Sequence, residues 1–304
     1  MSSDLRSVIV NPKSPAIVAG LSMKMIAGNT TTIGGPAIYA ALGVRYAGIS
    51  TALLTAVGRD LTDVDNAIAI SIDDECIPLR TKLPRSMITW SGPAILGATG
   101  KGTLSDNPSL WRAMPPKNYN MSGHALILAN GDPDWYQTLL TACTPSLIFM
   151  DAHIEWLRIR EKSLNACLQK AHVVTITETE YKALPLSVRS GVSFGGNDKA
   201  LIIKRGSQGV TIIAGNQRRE LPPPKPMVTR TDVGCGDLLV GSLAGHFLTS
   251  SSTEAPQTLI DRLTQAYLDS ITPLTKLIES DSPRTFIGHC ITQLQSRQSA
   301  NEVQ

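Results

Sequence analysis

The stretch that decides the fold is Thr231-Asp232-Val233-Gly234-Cys235-Gly236-Asp237, which leads directly into an apolar segment at helical spacing, residues 238–248. Alternate glycines let the backbone turn tightly and direct successive N–H groups to one point, and the following helix adds its positive N-terminal end. An anion can bind at such a turn without a side-chain cation. Asp237 would repel that anion unless it has a second task, such as accepting the proton of a hydroxyl group that attacks a phosphorus atom.

The same heptapeptide also has a purely structural interpretation. Gly234 and Gly236 would form a turn, and Asp237 would cap the N-terminus of the helix. The common phosphate-binding motifs do not apply, because Leu239 stands where GxGxxG needs its third glycine and GxxxxGK[ST] is absent from the sequence. The heptapeptide by itself leaves a catalytic turn and a helix cap both open.

On either side of this turn the sequence alternates between strands and helices. Gly34-Gly35-Pro36 leads into a predicted helix over 37–46, and a strand is predicted at 50–57. This β-loop-α-β order indicates a parallel sheet covered by helices. The remaining predicted strands are 125–128, 146–150, 172–176, 201–204 and 210–213, and the remaining predicted helices are 135–141, 161–169, a helix starting near Glu178, 257–278 and 282–295.

Other segments are less regular. Short strands at 7–10, 16–21 and within 79–107 are typical of a small accessory sheet, and the proline-rich residues 221–227 are predicted to be an exposed connection. No internal repeat interrupts this order.

Composition excludes several classes of protein. The 304 residues are 42% hydrophobic and 17% charged, which suits a globular enzyme rather than a coiled coil or a disordered chain. The formal charge of +3 is spread without a basic run, so nucleic-acid binding is not expected. The five cysteines are far apart and no pair has CxxC spacing, which is typical of reduced thiols. With no signal-like start and no apolar run of membrane-spanning length, we expect a soluble cytoplasmic protein without a membrane partner.

Three motifs, in this order, resemble those of the ribokinase-like (PfkB) carbohydrate and nucleoside kinases. The closing signature of that family, D-T-x-G-A-G-D, is similar to residues 231–237. Its opening signature is similar to the stretch from Gly34-Gly35-Pro36 to Gly43, continued by Ala56-Val57-Gly58-Arg59-Asp60, and Ile203-Lys204-Arg205-Gly206-Ser207-Gln208-Gly209 resembles its strand and turn beside the nucleotide. The resemblance implies a single domain over 1–304 with a three-layer α/β fold. A mostly parallel central sheet would be flanked by helices, with a small, reduced β lid from about 8–33 and part of 79–107.

The resemblance also implies a chemistry. It predicts ATP, Mg²⁺ and transfer of the γ-phosphoryl group to the hydroxyl of a sugar or nucleoside, and homodimers are common in such folds. Asp237 would be the general base, with the amides of Gly234, Cys235 and Gly236 as the anion hole. Glu180 would organise the metal and phosphates, with Thr177 where the family has Asn. The remaining implied contacts are Lys204, Arg205, Gly206 and Gly209 beside the nucleotide, Gly34 and Gly35 against the acceptor, and Asn11 in the region where the family carries an acceptor-binding Asp.

Placement at strand ends adds further candidates. Asn130, Asp132, Asp151 and His153 follow predicted strands directly, and the carboxyl ends of parallel strands face the ligand crevice of an α/β sheet. Of these we predict that Asn130, Asp151 and His153 contact the acceptor.

Two alternatives remain at this stage. The departures at Thr177 and Thr231 and the lack of a carboxylate in residues 11–15 favour a degenerate relative that binds a nucleotide or metabolite without phosphoryl transfer, whereas the intact glycine turn favours a kinase. A nicotinamide-dependent enzyme is disfavoured, because no GxGxxG follows the first strand.

Overall fold

The computed structural model describes residues 16–60, 81–96, 102–108, 111–113, 121–185, 189, 198–226, 228–250 and 258–301. The predicted strand 7–10 and the predicted acceptor contact Asn11 lie outside these residues. No helix in the described part of the chain is both long and apolar enough to cross a bilayer.

An eight-stranded sheet forms the centre of the fold. Its order is β14-β13-β12-β11-β10-β9-β1-β4, and the six strands from β12 to β4 are parallel. The last two strands, β13 and β14, are antiparallel. The strands are β1 (Ala16–Ala19), β4 (Thr51–Leu54), β9 (Ala125–Leu128), β10 (Leu147–Asp151), β11 (Val173–Thr177), β12 (Ala200–Lys204), β13 (Val210–Ala214) and β14 (Gln217–Leu221).

Helices cover the two faces of this sheet. From β1 the chain crosses to β4 in one direction, and from β9 through β10 to β11 it moves in the other. Because parallel crossovers are right-handed, these two sets of helices lie on opposite faces. The helices are α1 (Pro36–Tyr46), α2 (Pro133–Ala142), α3 (Glu155–Lys170), α4 (Glu178–Ala183), α5 (Cys235–Thr249), α6 (Leu259–Glu279) and α7 (Pro283–Asn301). The predicted three-layer arrangement is confirmed.

Helices α1 and α5 approach each other through glycines. A Cβ added at Gly241 would lie 1.8 Å from the Ala40 carbonyl oxygen, and one added at Gly43 would lie 2.4 Å from the Ser242 nitrogen. Only glycine fits at these two positions, because any Cβ would overlap the backbone of the other helix. The close approach brings the start of α5 next to the start of α1, where two of the predicted motifs begin.

A second, four-stranded sheet corresponds to the predicted lid. Its order is β3-β2-β7-β8, from Thr30–Gly34, Met23–Ala27, Thr89–Gly92 and Thr103–Leu104. The predicted lid also included the strand at 16–21, and this part was wrong. Ala16–Ala19 is buried and pairs with both β4 and β9 in the large sheet. Strands β5 (Ala56–Val57) and β6 (Thr81–Lys82) form a separate, two-stranded parallel sheet.

Two further boundaries differ from the prediction. Helix α3 begins at Glu155 rather than at residue 161, because two helical segments join across a kink at Arg160 (φ −146°, ψ 38°) that breaks the periodicity. Residues 217–221 form β14 at the edge of the sheet; no strand was predicted there, and Leu221, predicted to begin the exposed connection 221–227, pairs with Val210 instead. The proline-rich connection follows it.

Candidate active site

Three neighbouring strands end at the candidate site. Asp151 is the last residue of β10, Thr177 of β11 and Lys204 of β12. The parallel register places Thr177 opposite Lys204 and Asp151 opposite Thr175. The carboxyl ends of these strands therefore bring polar side chains from three distant parts of the sequence to one edge of the sheet, where ligands bind in open α/β folds.

A buried ion pair is the centre of this cluster. The Lys204 Nζ lies 2.6 Å from Asp151 Oδ1, and the Thr175 hydroxyl donates to the same oxygen at 2.5 Å. Only 12% of the Lys204 side chain and 7% of the Asp151 side chain are exposed. Burial lowers the pKa of Lys204, but the charges of Asp151 and Glu180 outweigh burial and hold that pKa above its ordinary value. Lys204 is therefore a fixed cation.

The glycine turn opens helix α5 beside this pair. Gly234 is the N-cap residue with a left-handed backbone (φ +85°), and no side chain caps the helix. The helix-cap interpretation of Asp237 is wrong, because this residue lies inside the first turn, two residues beyond the helix start. Of the three predicted anion-hole amides, that of Cys235 donates to the Asp232 carbonyl at 3.2 Å.

Asp237 itself is partly buried. Burial raises the pKa of this carboxyl group to about 7, the negative charge of Asp151 adds to the rise, the ammonium of Lys204 opposes it, and Glu180 raises it further. A carboxylate with such a pKa can accept a proton near neutral pH. Tuning of this kind is common at catalytic sites.

Glu180 is held at the start of α4. Its carboxylate accepts the Thr177 N–H at 3.0 Å, the Thr177 hydroxyl at 2.5 Å and the Ile154 N–H at 3.3 Å. Thr177 in turn caps the helix, which completes a capping box. His153 Nε2 lies 3.8 Å from Glu180. Burial opposes ionisation of Glu180, but His153, Lys204 and the hydrogen bonds from Thr177 hold its pKa below the ordinary value.

Of the two glycines predicted to contact the acceptor, Gly34 is the last residue of lid strand β3 and Gly35 is the N-cap residue of α1. The Gly35 N–H donates to the sulfur of Met25 at 3.0 Å, and a Cβ at Gly34 would lie 2.3 Å from the same sulfur. Tyr39, which sequence reasoning missed, touches both motifs. Its ring lies 3.4 Å from a Cβ built at Gly34 and 2.6 Å from one built at Gly234. No local pattern could have indicated this contact, since it joins residues about 200 positions apart.

The other predicted residues lie away from the ion pair or play local roles. Arg205 is directed to Glu220 of β14 at 3.2 Å. Gly206 and Gly209 form the turn after β12 with φ of +58° and +82°. Asn130 accepts the Trp156 indole N–H at 2.8 Å.

Residues 231 and 232 connect the glycine turn to the lid. The buried Thr231 hydroxyl donates to the Ala94 carbonyl at 2.7 Å, and the Asp232 carboxylate accepts the Leu96 N–H at 2.5 Å. Ala94 and Leu96 follow the lid strand β7. Within the described ranges, no three His, Cys, Asp or Glu side chains are arranged to hold a metal ion by themselves.

Comparisons with known proteins bear on the fold. The sequence matches no protein-family model and no curated protein. Solved structures do match. A fructokinase from Vibrio cholerae bound to fructose, ADP and calcium is 13% identical with a TM-score of 0.68, over 90% of this chain and 96% of that one. A nucleoside kinase from Methanocaldococcus jannaschii, an archaeal member of the ribokinase family, is 14% identical with a TM-score of 0.63, over 93% and 99%.

A third structure extends this agreement. A putative ribokinase II from Escherichia coli in complex with ATP and Mg²⁺ is 16% identical with a TM-score of 0.64, over 93% of this chain and 99% of that one. All three matches span nearly the whole of both chains. The chain therefore has the ribokinase fold, as its motifs predicted.

Proposed function

We propose that this protein is an ATP-dependent kinase that transfers the γ-phosphoryl group to a hydroxyl of a small molecule, either a sugar or a nucleoside. One observation carries the proposal: Asp237, with a pKa raised to about 7 chiefly by burial, stands at a helix-opening glycine turn beside the buried Lys204–Asp151 pair. Structures with the same fold hold fructose with ADP, and ATP with Mg²⁺.

Each part of the site has a task in this reaction. Asp237 removes the proton from the acceptor hydroxyl, for which a pKa near the working pH is suited. The N–H groups of Gly234 and Gly236 and the positive end of α5 stabilise the negative charge of the phosphoryl group in transfer, whereas the Cys235 N–H donates to Asp232.

The side chains present fit a magnesium nucleotide. Mg²⁺ is commonly bound through one or two carboxylates together with substrate phosphates and water, so a site without a complete protein cage is the expected kind. Glu180 is the carboxylate that would face it, and its negative charge also acts on Lys204. When bound, the ion would neutralise phosphate charge.

A second function has its own support. The Gly35 N–H is satisfied by the Met25 sulfur, and Met23 lies 2.7 Å from a Cβ built at Gly35. Methionine side chains therefore cover the surface that the motif assigns to an acceptor. This packing favours a protein that binds a nucleotide or metabolite without phosphoryl transfer.

ATP consumption across a panel of sugars and nucleosides separates the two functions. With a productive acceptor, Asp237→Asn should lower kcat by about 10²–10⁴-fold while ATP affinity stays within about threefold. Asp269→Asn, which changes the same group on the exposed face of α6, is the matched control and should keep full turnover. ATP binding without turnover on any acceptor would support the binding protein instead, and normal turnover by Asp237→Asn would exclude it as the base.

A further inference from the structure

The ion pair at the strand ends has a role beyond bordering the nucleotide. We propose that Lys204 supplies a fixed positive charge to the phosphoryl group in transfer, and that Asp151 and Thr175 are positioning residues that hold its ammonium group beside the glycine turn. This inference rests on the proposed function.

Side chains on the two neighbouring strands hold Lys204 in place. Asp151 Oδ1 accepts from both the Lys204 ammonium (2.6 Å) and the Thr175 hydroxyl (2.5 Å), and Thr175 is the register partner of Asp151 in the sheet. All three side chains therefore project from adjacent strands of a rigid parallel sheet. A flexible lysine side chain loses most of its freedom in such a clamp before any ligand binds, so little ordering cost is left for the moment of binding.

The ammonium group of Lys204 is directed to the glycine turn. A Cβ built at Gly236 would lie 3.4 Å from Lys204 Nζ, so the ammonium lies against the middle of the turn. A side chain longer than a methyl group at residue 236 would come between Lys204 and an anion bound at the turn. The glycine is therefore needed for access as well as for backbone conformation.

The ammonium group of Lys204 keeps donors that could bind an anion. A lysine ammonium has three N–H donors, and Asp151 accepts one of them. Lys204 has no second acceptor among the residues that the structure describes. Two donors therefore remain for an anion at the amino end of α5. Arg205 is not an alternative, because it is directed to Glu220.

The arrangement changes the role assigned to Asp151. As a predicted acceptor contact it would need a free oxygen facing the ligand. Its Oδ1 accepts two donors, and only 7% of its side chain is exposed, so little of Asp151 is available to an acceptor. Asp151 thus acts through Lys204.

The test uses Lys204→Met, which keeps the length of the side chain and removes its charge. Calorimetric titration without acceptor should show ATP affinity about 10–100-fold weaker, since hydrogen bonds to charged groups are among the strong ones. ADP affinity should change less than about threefold, because ADP lacks the transferred group. Turnover should fall about 10²–10³-fold, as for the loss of one donor to a transition-state anion. Lys204→Arg should recover part of the lost ATP affinity and part of the lost turnover.

The matched control is Lys199→Met. Lys199 precedes the same strand, about 16 Å away at strand rise, and donates to the Gln169 carbonyl at the other edge of the sheet. The two variants remove the same charge from the same strand. ATP affinity and turnover of Lys204→Met within threefold of those of Lys199→Met would overturn the inference.

A double variant separates the lost cation from a disturbed fold. Lys204→Met leaves Asp151 buried without its partner, which can destabilise the protein. Asp151→Asn/Lys204→Met removes that unpaired charge, and it should recover the unfolding midpoint but not the ATP affinity. Recovery of the ATP affinity would show that the unpaired Asp151 caused the loss, and would refute a direct role of Lys204.

The pH profile gives a readout that a purely structural lysine would not move. The charges of Asp151, Lys204 and Glu180 act on the carboxyl group of Asp237, which in turn raises the pKa of Tyr39, Tyr136 and Cys235. Because Lys204 lowers the pKa of Asp237 and Asp151 raises it, Lys204→Met should move the acidic limb of kcat/KM to higher pH and Asp151→Asn to lower pH. Shifts in the same direction would contradict the arrangement.

Failure of this inference and failure of the proposed function are distinguishable. If the parent protein turns over no acceptor but Lys204→Met still loses its preference for ATP over ADP, phosphoryl transfer is refuted and the Lys204 contact stands. If the parent turns over an acceptor and Lys204→Met does so equally well, phosphoryl transfer stands and the role of Lys204 is refuted.

Discussion

Replacement of Gly234 by alanine tests the glycine turn most directly. Gly234 has φ +85°, and an added Cβ would lie 2.6 Å from the ring of Tyr39, a side chain with no exposed surface. Gly48, after helix α1, has nearly the same backbone (φ +86°), but a Cβ there would meet nothing within 4 Å. The pair separates the cost of the backbone conformation from the cost of the contact.

The expected loss of stability is the sum of two costs, that of the backbone conformation and that of the contact with Tyr39. A left-handed conformation costs a residue with a Cβ about 1–2 kcal/mol, so Gly48→Ala should lower the free energy of unfolding by that amount. Overpacking a closed core adds about 1–3 kcal/mol, because Tyr39 is enclosed and cannot rotate away. Gly234→Ala should therefore cost about 2–5 kcal/mol in all.

Urea denaturation measures both variants against the parent protein. The double variant Gly234→Ala/Tyr39→Leu, compared with Tyr39→Leu alone, should show only the backbone cost, since the ring is gone. If Gly234→Ala were no more destabilised than Gly48→Ala, the contact between the turn and Tyr39 would not exist as described, and with it the link between the two glycine motifs.

Two further predictions follow from the site. Because burial raises the pKa of Asp237 to about 7, the folded state binds more protons than the unfolded state between about pH 4 and 7, and the stability of the parent falls as pH rises through this range. Asp237→Asn should therefore have a higher urea midpoint than the parent at pH 8 and an equal one near pH 4; equal midpoints at pH 8 would contradict the raised pKa. Asp232→Ala removes the acceptor of the Leu96 N–H and should speed amide hydrogen exchange in the lid strand Thr89–Gly92, while Asp269→Ala should not. Unchanged exchange in Asp232→Ala would show that this contact does not hold the lid.

Several parts of the site could be predicted because their signals are local. Asp151 follows an apolar run that reads as a buried strand, and parallel strands end at one edge of a sheet. Thr177 and Lys204 were implied by the resemblance to the ribokinase-like kinases, which rests on short motifs. Glu180, three residues after Thr177, has the spacing of a capping box. The glycine turn is likewise contained in seven consecutive residues.

Other parts could not be predicted, because they depend on which elements meet. The apolar run Ala16–Ala19 suits either sheet, and only its pairing with β4 and β9 placed it in the large one. Lys204 and Arg205 are adjacent cations, yet one faces Asp151 and the other faces Glu220 across the hairpin. A sequence pattern does not fix which neighbour a side chain at a strand end will meet.

The sequence by itself determined most of the order of strands and helices and the place of the glycine turn, since spacing and residue type act over a few positions. Only the tertiary structure decided that Asp151 accepts from Lys204, that Tyr39 joins the two glycine motifs, and that Thr231 and Asp232 contact the segment after β7. These contacts join residues from 53 to 195 positions apart, and their geometry follows from sheet register and helix packing, which no local pattern encodes.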